Sequence, residues 1–133
     1  MSTIKATIAL SSTTLFPTPA NVNVSVTEQV SGSADFQTLT IPADETIVLY
    51  GPSSAPDSSN TLYFYAQAAS TNSSSLDIYI QNNEFSSSLM AKLRPSDFMW
   101  VPLASYNAGL QLSAVNNDGN HSSTVNVFWG ERS

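Results

Sequence analysis

His121 is the only histidine of this 133-residue chain, and so the side chain best suited to proton transfer near neutral pH. It lies in the polar run Asn116-Asn-Asp-Gly-Asn-His-Ser-Ser123, where an exposed turn residue is a simpler reading than a general base. There is no second histidine and no cysteine, so the usual zinc donor sets are missing. One turn histidine among many serines does not suggest Ser-His-Asp geometry. No nucleophile elbow, phosphate-binding loop or dinucleotide fingerprint occurs. The carboxylates are scattered, with Asp44-Glu45 the only adjacent pair, which gives no specific sign of two-carboxylate glycosidase chemistry. The oxygens of Asn116, Asn117, Asp118 and Asn120 lack the spacing of a calcium loop. A hairpin turn at Asp118-Gly119 explains them better. The expectation is a chain that is not an enzyme and needs no cofactor or metal.

Charge narrows the partners. Net charge is −6, and the only basic side chains are Lys5, Lys92, Arg94 and Arg132. Nucleic acid and anionic membrane surfaces both require clustered Lys and Arg, so neither is expected. No run of 18 apolar residues suggests a membrane-spanning helix, and the apolar residues near the N-terminus are broken by Thr and Ser. Synthesis in a cytoplasm is the expectation.

The elements that position these residues read as strands. Apolar residues alternate with polar ones at Ile4–Leu10, Val22–Val26 and Leu76–Ile80. Further β-rich runs cover 36–41, 46–50, 62–66, 89–93, 98–103, 110–115 and 124–129. Turn clusters separate them at 51–60, 70–75, 105–109 and 116–123. No helical stripe of ten residues is present. One all-β domain over 1–133 is expected, an antiparallel, jelly-roll-like β-sandwich of eight or nine strands. Residues 1–20 would supply a first strand and an extended arm, with Phe16 as an anchor.

Several strands are apolar on both sides. In Phe98-Met-Trp-Val-Pro-Leu103 all six side chains are apolar, and aromatics flank both faces of 62–66. A sandwich strand has one face in water. The second face therefore needs cover, from a loop, the N-terminal arm or a partner subunit. Phe16, Tyr63, Tyr65, Met99, Val101 and Leu103 are the candidate interface residues. Pro102 lacks a donor and marks an edge or a strand end. The competing use of aromatics is sugar stacking, with Trp100, Trp129, Tyr63, Tyr65, Tyr79 and Tyr106 as candidates.

The segment Leu93-Arg-Pro-Ser-Asp97, followed by Trp100-Val-Pro-Leu103, Leu110–Val115 and Val125-Asn-Val127, covers about 40 residues. It resembles the L-x-P-G-[DE] … I-P-L … L-x-[VL]-x-A … V-x-V ending of small all-β phage virion proteins. Ser96 stands where that pattern has Gly. The resemblance implies a structural protein on the capsid surface, a decoration or cement subunit. Its partners would be the major capsid protein and copies of itself, as a homo-oligomer and often a trimer. A tail or fibre component is the nearer variant, and a carbohydrate-binding, lectin-like module the alternative.

Overall fold

The computed structural model describes residues 2–12, 14, 20–30, 34–51, 61–82, 85–104 and 110–132. They form ten antiparallel strands and no helix. These are β1 (Ser2–Ser12), β2 (Ala20–Val30), β3 (Ala34–Ile41), β4 (Thr46–Tyr50), β5 (Thr61–Ala68), β6 (Leu76–Asn82), β7 (Phe85–Leu93), β8 (Phe98–Ala104), β9 (Gln111–Asn116) and β10 (Ser123–Arg132). The count exceeds the expected eight or nine, and β1 and β2 pair only with each other. The remaining eight strands make two sheets, ordered β3-β10-β5-β8 and β4-β9-β6-β7.

The pairs nest around β6–β7: β5 lies beside β8, β4 beside β9 and β3 beside β10. Consequently β6–β7 is the one sequential connection of the sandwich that stays within a sheet; every other one crosses between them. This corrects the hairpin expected at Asp118-Gly119. The turn there carries the chain from β9 in one sheet to β10 in the other. Its polar residues serve the crossover. Fully buried Asn116 donates from Nδ2 to the carbonyls of Ile41, Pro42 and His121, at 3.1, 3.2 and 2.9 Å. The Asp118 carbonyl accepts from the Asp44 amide at 3.1 Å. Local turn chemistry was legible here, but sheet membership is a long-range property.

The core follows from period-2 alternation. Along β9 buried Leu112, Ala114 and Asn116 alternate with half-buried Gln111, Ser113 and Val115. Phe64, Ala66 and Ala68 of β5 face Leu76 and Ile78 of β6 within one cluster that also holds Val125, Val127 and Trp129. Phe64 is fully buried, a contribution of about 1.5–3 kcal/mol from apolar surface removed from water. Trp129 packs edge-on against Tyr50, ring centroids 5.1 Å apart at 75°.

Two crossovers are held by backbone geometry. Arg94-Pro95-Ser96-Asp97 is a turn closed by the Asp97 amide on the Arg94 carbonyl at 2.9 Å. Ser96 adopts φ 75°, the left-handed value that the third position of a type II turn requires and that favours Gly. Asp97 returns its carboxylate to the Arg94 amide at 3.0 Å. At residues 70–75 the expected turn contains Asn72, which is buried and bonds both backbone groups of Thr124, at 2.8 and 2.9 Å.

Candidate interaction surface

The two sheets present very different outer faces. On β3-β10-β5-β8 the register places Phe36 opposite Phe128, Phe128 opposite Tyr65, and Tyr65 opposite Trp100. An unbroken aromatic row therefore crosses all four strands. Tyr63 stacks on Trp100 with centroids 5.4 Å apart at 15°, and Tyr65 lies 6.5 Å from Phe98. Phe36 and Phe98 remain 63% and 55% exposed. Tyr65 donates its hydroxyl proton to Gln67 Oε1 at 3.1 Å, which holds the phenol along the sheet.

The β1–β2 hairpin partly roofs this row. Residues 4–8 of β1 form one wall of a groove of about 370 Å³, and Phe36, Tyr65, Phe98, Trp100 and Phe128 form the other. The hairpin is itself two-faced. Its register sets Ala6 opposite Val26, Ile8 opposite Val24 and Leu10 opposite Val22, all on one side. Thr7 and Ser25 share the other side, their hydroxyls 3.1 Å apart. Leu10, Val22, Val24 and Val26 stay largely exposed. Of the three covers that the apolar strand faces demanded, the N-terminal segment supplies a partial one through the β1–β2 hairpin; most of the expected arm at 11–20 lies outside the described residues.

The candidate interface residues divide. Tyr63 and Tyr65 lie on the outer face, Tyr63 buried under its Trp100 stack. Met99 and Val101 do not. They stand opposite Ala66 and Phe64, both fully buried, so they point to the core side. The backbone of Leu103 shares their parity, opposite Leu62. Phe16 and Tyr106 lie outside the described residues. The outward set of β8 is Phe98, Trp100 and Pro102, and Pro102 sits in an edge strand. Phe36, Phe98 and Phe128 were missed. Parity carried a signal: Met99, Val101 and Leu103 are aliphatic, the usual core choice, and Phe128 shares its side of β10 with Asn126. Of the sugar-stacking candidates, Trp129 belongs to the core at 8% exposure. Trp100, Tyr65 and Tyr79 are half-buried on outer faces.

The outer face of β4-β9-β6-β7 is polar by comparison. Thr46, Ser113, Asp77 and Lys92 lie along it together with Val48, Val115, Tyr79 and Leu89, but no aromatic row crosses its strands. Asp77 accepts from Asn117 Nδ2 at 2.7 Å and sits 3.7 Å from Lys92 Nζ. Between the sheets' ends, His121 Nδ1 lies 3.1 Å from an Asp118 carboxylate oxygen in an exposed turn. The Asn120 amide, which donates to Asp118 at 2.8 Å, and the neighbouring His121 hold the Asp118 carboxyl below its usual range, against the opposing effect of partial burial. Among the described residues no group of three or more His, Asp or Glu is placed to hold a metal ion. No helix there is long and apolar enough to cross a membrane.

No protein-family model matches the chain, and no curated protein matches it significantly. Among solved structures it is similar to a crystal structure of the Yersinia pseudotuberculosis-derived mitogen, with a TM-score of 0.50 and 13% identity. That match covers 74% of this chain and 85% of the mitogen chain. At this identity the likeness is one of fold, an all-β architecture shared by the two.

Proposed function

We propose that this chain is a non-catalytic structural protein of a virion, a capsid decoration or cement subunit. On this reading it is made in the host cytoplasm and held on the capsid surface by contacts with the major capsid protein and with copies of itself. The nested strand pairing is read as jelly-roll-like, two Greek keys folded on each other. One observation carries the proposal. The hairpin leaves a row of apolar side chains, Leu10, Val22, Val24 and Val26, largely exposed beside a roofed aromatic face. Contiguous exposed apolar surface of this kind marks protein contact sites. The Leu93–Asp97 turn, with Ser96 in the conformation that Gly favours, agrees with the virion-protein pattern at the position where its sequence departs.

The contact would be made by apolar burial and neutral hydrogen bonds, because only four basic side chains exist in the chain. Its strength should therefore change little between low and moderate salt. Quantitative mass spectrometry of purified particles tests the proposal. Close to one copy per capsid subunit is the expected result. A handful of copies per particle would move the chain to the tail or fibre, and absence from particles would overturn the reading.

A second reading, a carbohydrate-binding module, draws on the Tyr63–Trp100 stack at the surface of β5 and β8. It requires a glycan-array signal that disappears in Trp100→Ala, and it places no role on Trp129.

A further inference from the structure

Sheet edges are hazards, and proteins blunt them with proline, charge, bulges or inward-pointing charged residues. Among the described residues the edge strands carry such devices to different degrees. Edge strand β8 has Pro102, and β7 has Lys92 and two register shifts. Strand β4 is five residues long with a register shift between Val48 and Tyr50. Strand β3 points Asp35 to the core side, opposite Trp129, and β1 carries Lys5. Strand β2 has Glu28 alone, near its end. Over 20–27 it reads Ala-Asn-Val-Asn-Val-Ser-Val-Thr, without charge, proline or glycine, and its register with β1 is unbroken. A two-stranded ribbon of this kind is marginal in water by itself, and its valines at 22, 24 and 26 are each about half exposed.

We propose that β2 pairs antiparallel with β2 of a second copy, joining two hairpins into one four-stranded sheet about a two-fold axis at Val24. In that register Val24 meets its own counterpart, Val22 meets the second copy's Val26, and Asn23 meets the second copy's Ser25. Apolar and polar sides stay matched across the joint, as the period-2 pleat demands. Glu28 falls opposite Ala20, so no like charges meet. Two half-exposed valine rows become one continuous apolar face, and both orphan backbone edges are paired. The same contact is isologous and self-limiting, so it yields a dimer and not an open fibre. It stands on the edge chemistry alone and does not depend on a capsid role. It also departs from the trimer that the virion-protein resemblance implies.

The chain has no cysteine, which makes a crosslink unambiguous. Directly opposed Cα atoms in an antiparallel pair lie about 4.5–5.5 Å apart, within disulfide reach. Val24→Cys should oxidise almost fully to a covalent dimer, while Ser70→Cys, in an exposed turn of the sandwich, should form no appreciable covalent dimer at the same concentration. Sedimentation equilibrium of the unmodified full chain at about 50 μM should give twice the 14.2 kDa chain mass. Val24→Lys, which puts a charge at the centre of the edge, should return it to the monomer with an unchanged far-ultraviolet spectrum. A monomeric or trimeric parent chain would overturn the proposal. So would a dimer that survives Val24→Lys, or a Val24→Cys chain that crosslinks no faster than Ser70→Cys.

Discussion

The two outer faces of the sandwich solve the same problem in opposite ways. Each lies over a sheet of four strands with a shared core beneath. On β4-β9-β6-β7 the outward side chains include Ser113, Asp77 and Lys92, and no second element of the described chain roofs them as the hairpin roofs the other face. On β3-β10-β5-β8 the outward row is Phe36, Phe128, Tyr65 and Trp100, and a separate hairpin lies over it. The difference teaches that the core and the exposed chemistry of this fold occupy different parities of the same strands. Core-facing residues of both sheets specify a sandwich. The outward residues of only one sheet specify a surface that wants a neighbour.

The comparison can be broken at its foundation by Phe64→Ala. The vacated site lies under both sheets, so a loss of about 3–5 kcal/mol is expected. Urea denaturation would measure it, and hydrogen exchange should then rise on both sheets together. A loss confined to one sheet would mean that the sheets do not share a core.

The faces separate at the next level down. Trp100→Ser removes an aromatic that stacks on Tyr63, and it should cost about 1–2 kcal/mol of stability, read from urea denaturation. Tyr79→Ser, half-buried on the polar face, should cost less than about 0.5 kcal/mol, within the ordinary range for surface changes. Equal costs would remove the distinction between the faces.

Smaller effects lie in two of the crossovers that join the sheets. Ser96→Gly relieves a left-handed residue at φ 75° but adds freedom to the unfolded chain, for a net gain of about 0.5 kcal/mol. Thermal denaturation should show a midpoint higher by a few degrees. At the other crossover, the depressed Asp118 carboxyl stabilises the fold at pH above its unfolded value near 3.8. That contribution disappears as pH falls through the folded value. Wild type should therefore melt above Asp118→Ala at neutral pH, with the gap closing in acid. A gap that widens on acidification would contradict the assigned hydrogen bonds.

Much of this was legible in the sequence. Each of the strands coincides with a β-rich run, and β4 has the bounds read for it, 46–50. Alternation also identified the doubly apolar strands. Three things were not legible, each for a physical reason. Strand pairing is long-range, so nothing local distinguished the β9–β10 crossover from a hairpin or told β1–β2 apart from the sandwich. Where both parities are apolar, period two cannot say which faces the core. Met99 and Val101 were therefore placed at an interface and Phe98 overlooked. Last, Trp129 and Trp100 look alike in sequence, and only their opposite parity relative to the core makes one structural and the other a surface residue.

The proposed contact surface, the hairpin together with the aromatic face that it partly roofs, has a matched pair of probes. Phe98 and Leu89 are 55% and 56% exposed, on edge strands of opposite sheets. Both can be changed to serine at little cost in stability. The decisive measurement is the occupancy of purified particles by Phe98→Ser and Leu89→Ser chains, supplied at equal concentration. The account predicts at least a tenfold loss for Phe98→Ser and wild-type occupancy for Leu89→Ser. Equal occupancy, or loss on the Leu89 side, would contradict it.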